Sequence, residues 1–197
     1  MSREEKVLTP ADILPLDVYA AQRKSLRQEN IARKRRRRIG VGPDATFYFE
    51  NYDTMWMQIH EMLYIEKGGD EQLRDELEAY NPLIPRGREL VATMMFEIED
   101  AARRAVFLGR MGGVEDCVYL DIGGTRIMAR AEDDVERSRE DGKASSVHFF
   151  HFPLTEEQAA HFKSGAYKVL LGIEHPHYGH LAILSDEVRD ELSQDLN

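Results

Sequence analysis

Six of the seven histidines lie after residue 147: His148, His151, His161, His175, His177 and His180. The run His175-Pro176-His177-Tyr178-Gly179-His180 is the tightest group. A turn there can fold His175, His177 and His180 onto one divalent metal ion, with His151 or Glu174 completing the shell. The plainer reading puts His175 at a strand end, leaves His177 in solvent and starts a new strand at His180. It is favoured, because neither a cysteine partner nor a helical His-x-x-x-His pair accompanies the cluster. His148 and His151 stand three apart in an expected strand, so they point to opposite faces and do not chelate together.

The second chemical feature is the basic run Arg33-Lys34-Arg35-Arg36-Arg37-Arg38. Residues 21–38 hold nine Lys/Arg and one acid, a charge of +8; the whole chain is −10, so the rest sums to −18. Such a chain can pair its basic segment with its own body, with a second copy, or with an outside polyanion. The run closes a helix and enters a strand, so its side chains diverge, and the acidic body repels a nucleic acid duplex. Nucleic-acid binding is therefore disfavoured. The plain alternative is ion pairing with Glu50, Glu61, Glu66, Glu97 or Glu99, or with a neighbouring subunit.

A third group, Glu50, Asn51, His60, Glu61 and Glu66, surrounds an expected aromatic helix. A carboxylate beside Trp56 and Tyr48 can be raised in pKa and serve as acid or base. The plainer reading has Glu66 and Glu50 neutralising buried arginines. Gly40-x-Gly42 and Gly123-Gly124 lack the full glycine fingerprint of a phosphate loop. Cys117 sits in an expected strand as a buried, inert thiol.

The elements that position these residues follow from periodicity and punctuation. Thr9 and Pro10 open a short turn, and Asp17 caps a helix over about 18–34. Its apolar positions, Val18, Ala21, Leu26 and Ile31, make a narrow stripe, as in an arm laid across a partner. Gly42-Pro43-Asp44 turns a hairpin in which Ile39 and Val41 share a face and Phe47 and Phe49 share another. Asp53 or Thr54 caps a helix over about 54–67, with Met55, Trp56, Ile59, Met62 and Leu63 on one side. Gly68-Gly69 ends it, and a second helix covers 70–80.

Strands are expected at 90–98, 117–122, 126–130, 147–153, 167–173 and 180–184. Gly123-Gly124 makes a tight hairpin and 174–179 a turn. Helices are expected over 100–108, from a Thr155 capping box to Ser164, and from Ser185 to about 196. Residues 131–146 read as an exposed helix fragment or loop. Strands in adjacent pairs with helices between them predict an α+β fold: a largely antiparallel sheet, flanking helices and an N-terminal helical arm. The arm with its basic run is residues 1–38, and a single α+β domain spans 39–197.

Apolar residues are 42% and charged residues 31%, which fits a soluble globular protein rather than a disordered chain. No apolar run approaches the roughly 20 residues of a membrane span, and the first residues lack the apolar stretch of a secretory signal. One cysteine excludes an internal disulfide and a multi-cysteine metal site. A cytoplasmic protein is expected.

Several segments together resemble a bacterial family of about this length, a domain of unknown function. They are Ile39-Gly40-Val41-Gly42-Pro43, Gln58-Ile59-His60-Glu61-Met62-Leu63-Tyr64-Ile65-Glu66, Tyr80-Asn81-Pro82-Leu83-Ile84-Pro85, Glu89-Leu90-Val91-Ala92-Thr93-Met94-Met95 and Leu171-Gly172-Ile173-Glu174-His175-Pro176-His177-Tyr178. The resemblance covers nearly the whole chain. It implies genes beside rubrerythrin and a heterodisulfide-reductase-type iron–sulphur oxidoreductase, and hence a role in peroxide or redox metabolism; it supplies no catalytic residues.

The leading expectation is a non-enzymatic accessory protein that meets a redox partner, or its own second copy, through the basic arm and hairpin. The runner-up is a metal-binding protein using His175, His177 and His180. Nucleic-acid binding by residues 33–38 comes third.

Overall fold

Strand alternation sorts the aromatic residues into two faces, and the architecture follows from that sorting. The computed structural model describes residues 2–132 and 143–197. It is α+β, with two antiparallel sheets and seven α-helices among the described residues. One sheet has the order β1-β2-β3-β7-β6, from β1 (Arg38–Val41), β2 (Ala45–Glu50), β3 (Glu89–Phe96), β6 (Arg130–Ala131) and β7 (Val147–Pro153). The other has the order β5-β4-β8-β9, from β4 (Val118–Ile122), β5 (Thr125–Met128), β8 (Val169–His175) and β9 (Tyr178–Ile183).

The two sheets meet across one core. Phe47, Phe49, Leu90, Ala92, Met94, Phe150 and Phe152 of the first sheet join Val118, Leu120, Leu171 and Ile173 of the second. Ile39 pairs with Phe47 and Val41 with Ala45 across the β1–β2 hairpin. The apolar residues of both strands thus share one face, not the two faces that the strands suggest singly. The expected strand over 126–130 is divided: β5 ends at Met128, and Arg130 and Ala131 cross to pair with His151 and Phe150 of β7. Of the expected helix or loop over 131–146, residues 133–142 lie outside the described residues.

The other face of the first sheet carries Tyr48, Glu50, Val91, Thr93, Phe149 and His151. Val91 joins a second core with Met55, Ile59, Leu63, Leu77, Leu83 and Ile84, from α3 (Tyr52–Glu66), α4 (Gly69–Tyr80) and the segment after them. The cap of α3 is Asn51 rather than Asp53 or Thr54. Its side chain accepts from the Thr54 N–H at 3.0 Å, and Thr54 Oγ1 accepts the Asn51 N–H at 2.9 Å.

The 20-residue α2 (Leu16–Arg35) follows the short α1 (Ser2–Glu5) and lies along α3. Its buried residue is Tyr19, whereas Val18 and Ile31 of the expected stripe are exposed. A tyrosine reaches farther than the aliphatic residues, and its hydroxyl finds Glu61 of α3. After α5 (Ala101–Leu108) and α6 (Glu156–Ser164), α7 stops at Leu192 (Asp186–Leu192), short of the expected end near 196. The remaining residues curl back so that Leu196 bridges Gly87 and Asp195 reaches Arg37. No helix among the described residues is long and apolar enough to cross a membrane.

Candidate functional site: an acid-lined cleft over the first sheet

Helices α3 and α4 leave part of the outer face of β3 and β7 open. The resulting cleft has two lobes that share Tyr80, Leu83 and Phe149 as walls. The outer lobe, about 820 Å³, adds Glu78, Glu89, Arg130, Glu132 and His151. The inner lobe, about 430 Å³, adds Lys34, Tyr48, Glu50, Met55, Thr93 and Met95. Both volumes lie in the range of small-molecule sites, and both lobes combine apolar walls with a few polar groups.

The outer lobe is organised by His151. In the sheet register His151 stands between Val91 of β3 and Arg130 of β6, with Glu89 two residues along β3 on the same face. Its Nδ1 lies 3.0 Å from Glu89 Oε2 and its Nε2 3.2 Å from Glu132 Oε1. Each nitrogen faces an acceptor, so each carries a hydrogen, and the ring is held as an imidazolium. The Glu132 and Glu89 hydrogen bonds push its pKa up to about 9 against the opposing effect of burial. Burial pushes the Glu89 carboxyl up, but the hydrogen bond and charge of His151, together with the Arg86 backbone N–H and charge, outweigh it and hold the group below the usual range. The trio ties β3, β7 and the segment after β6 together, and Arg130 stands at the same wall.

The inner lobe holds Glu50, which ends β2 and is 4% exposed. One carboxylate oxygen accepts from Thr93 Oγ1 at 2.9 Å. The other, Oε2, is buried with no hydrogen-bond partner among the described residues. An orphan acceptor in a folded interior is uncommon and needs a reason.

The basic run is largely consumed inside the chain. Arg33 lies 3.7 Å from Asp53, Arg36 3.6 Å from Glu191, and Arg38 3.1 Å from Glu97. Arg37 is 1% exposed; it meets Asp195, Glu191 at 3.3 Å, and the carbonyl oxygens of Phe49 and Glu50 at 2.9 and 3.2 Å. Lys34 lies over the Tyr48 ring, 5.9 Å from its centroid, and Arg35 is exposed. Of the five carboxylates expected to pair with the run, Glu97 does so; Glu61 binds Arg23 upstream at 2.8 Å. The expectation that Glu50 and Glu66 neutralise buried arginines is corrected. The Glu50 side chain turns to Thr93 while only its carbonyl meets Arg37, and Glu66 accepts from Gln72. The remaining partners, Asp53, Glu191 and Asp195, come from other segments, so spacing in the sequence does not reveal them.

The three histidines of the C-terminal cluster do not converge. His175 pairs with Tyr178 across the β8–β9 hairpin, and His180 pairs with Ile173. His175 Nδ1 accepts the His177 N–H at 3.2 Å, which leaves Nε2 to donate to the Gly112 carbonyl at 3.2 Å. With both nitrogens so engaged, the ring offers a metal no lone pair. His180 packs against Tyr178 with ring centroids 4.6 Å apart, and Glu174 pairs with Arg126. Among the described residues no group of three or more His, Cys, Asp or Glu is placed to hold a metal ion. His148 faces the inter-sheet core and His151 the cleft, the opposite orientations that strand alternation predicts. Cys117 immediately precedes β4 and is half-buried rather than buried; burial and the acids beside it push its thiol up.

Sequence reasoning missed Glu89 and Glu132 as partners of His151. Alternation along 90–98 and 147–153 puts Glu89 and His151 on outward faces, but only the strand register makes them neighbours. In comparisons with known proteins, a family model described as "Protein of unknown function (DUF3501)" matches residues 7–196. A crystal structure of a novel protein of unknown function from Burkholderia pseudomallei K96243 is similar at 37% identity and a TM-score of 0.90, covering 97% of this chain and 100% of that one. A search of curated proteins returned no match.

Proposed function

We propose that this chain, which belongs to the DUF3501 family of proteins of unknown function, is a binding protein for a small molecule held in the two-lobed cleft. The observation that carries this reading is the placement of the orphaned Glu50 carboxylate and the His151 trio in one walled depression. A few polar groups along the walls of a largely apolar cleft are the usual mark of a ligand site. The His151 imidazolium is fully engaged by two carboxylates, so it shapes and charges the outer lobe rather than offering a free base. The test is chemical-shift mapping with a library of small polar fragments. Shifts clustered on Tyr80, Phe149 and His151 are expected; a library that moves no cleft resonance removes the reading.

A second reading, a docking protein that uses the basic arm, is favoured by one observation. Helix α2 keeps Lys24, Arg27 and Arg35 on its exposed surface beside Ile31, which is 54% exposed. A partner with an acidic surface suits that face, and the redox enzymes associated with the family resemblance are the first to try. Lys24→Glu with Arg35→Glu should weaken capture of such a partner, most strongly at low salt. Capture indifferent to both charge reversals and salt would dismiss the docking reading.

A further inference from the structure

The inner lobe has a chemical preference of its own. Glu50 Oε2 can only accept, and no cation pairs with the carboxylate among the described residues. The nearest basic side chain in the lining is Lys34, whose ammonium stays over the Tyr48 ring at the wall. Around the acid stand Tyr48, Tyr80, Phe149, Met55 and Met95. Aromatic faces attract cations, and thioethers adapt to irregular alkyl or aryl shapes. An anionic ligand would leave the Oε2 acceptor unmatched and add repulsion, whereas a group that brings N–H donors and positive charge would answer both deficits.

We propose that the inner lobe binds the ammonium group of a small organic amine, with Glu50 Oε2 as its acceptor and the Tyr48, Tyr80 and Phe149 rings against its apolar part. Thr93, hydrogen-bonded to the other oxygen, is the positioning residue that fixes the carboxylate. This rests on the reading of the cleft as a small-molecule site and specifies what one end of it takes.

The test uses the full chain labelled at methionine methyl groups, because Met55 and Met95 line the lobe and Met111 lies in the separate inter-sheet core as a control. Hexylamine, 1-hexanol and hexanoate are titrated in turn. Hexylamine should move the Met55 and Met95 methyls and leave Met111 still, binding about tenfold or more tightly than 1-hexanol, the scale of one hydrogen bond to a charged group. Glu50→Gln should weaken hexylamine by about tenfold or more and leave 1-hexanol within about twofold. If Glu50→Gln does not fold, the comparison of the three probes on the wild-type chain decides the matter alone.

Equal binding of amine and alcohol, or preference for hexanoate, overturns the amine assignment while leaving the cleft as a ligand site. Hexylamine that binds only after Lys34→Ala also overturns it, since the Lys34 ammonium would then be the natural occupant. If none of the three probes and no member of the fragment library disturbs any cleft resonance, the cleft reading itself falls.

Discussion

His151 allows a test in which one proton reports on the cleft. Its value in the folded chain, about 9, stands against an ordinary 6.5. At about 1.4 kcal/mol per pH unit, that displacement of about 2.5 is worth about 3–4 kcal/mol at most. The side chain is 21% exposed, so solvent screening trims this to about 2–3 kcal/mol. The sign follows from the folded value being the higher: the stabilisation is complete below about pH 6.5 and is lost as pH rises through about 9. Urea unfolding of the wild type and of His151→Gln, measured from pH 6.5 to 10, isolates the contribution by difference. Other groups that titrate in that window do so in both proteins and cancel.

The wild-type advantage should shrink by about 2–3 kcal/mol between the ends of the range. The imidazole Cε1–H resonance should titrate near 9. Glu132→Gln and Glu89→Gln should each lower that midpoint, because each carboxylate raises it through its hydrogen bond and its charge. A midpoint near the ordinary 6.5, or a difference between the proteins that is flat with pH, would refute the picture of an imidazolium clamped by two carboxylates.

Other perturbations probe the scaffold. Arg37→Ala strands Asp195, whose carboxyl burial pushes up despite the arginine, and should cost about 3–5 kcal/mol in chemical denaturation. The double change Arg37→Met with Asp195→Leu should recover much of that loss. Tyr178→Phe removes the hydroxyl that accepts from the Asp44 and Ala45 N–H groups at 2.9 and 3.0 Å and donates to the Val41 carbonyl at 2.7 Å. Leaving those buried groups unpaired should destabilise the chain by about 1–3 kcal/mol, read as a lower urea midpoint at unchanged m-value. Gly42→Ala should also destabilise, by about 1–3 kcal/mol in the same assay. Its φ is +71°, and a new Cβ would sit 2.6 Å from the Tyr178 hydroxyl and the His180 ring.

Local signals account for most of the elements. The Thr155 capping box, the Ser185 cap and the aromatic alternation of 147–153 are all short-range, and each appears where the residues dictate. Alternation alone also separates His148 from His151 and Thr93 from Met94, because a strand's period of two needs no knowledge of its neighbours. Those features identified an α+β chain and the faces that its strands present. Register and long-range closure belong to the tertiary structure. Glu89 meets His151 through the pairing of β3 with β7, and Arg37 meets Asp195 because the last residues curl back toward the first sheet. The orphaned oxygen of Glu50 is likewise a tertiary fact: a carboxylate in a sequence carries no sign of whether the fold will bring it a donor. Periodicity reports which way a side chain points, but its partner depends on which distant segment the hydrophobic core brings alongside, and that is settled only when the whole chain packs.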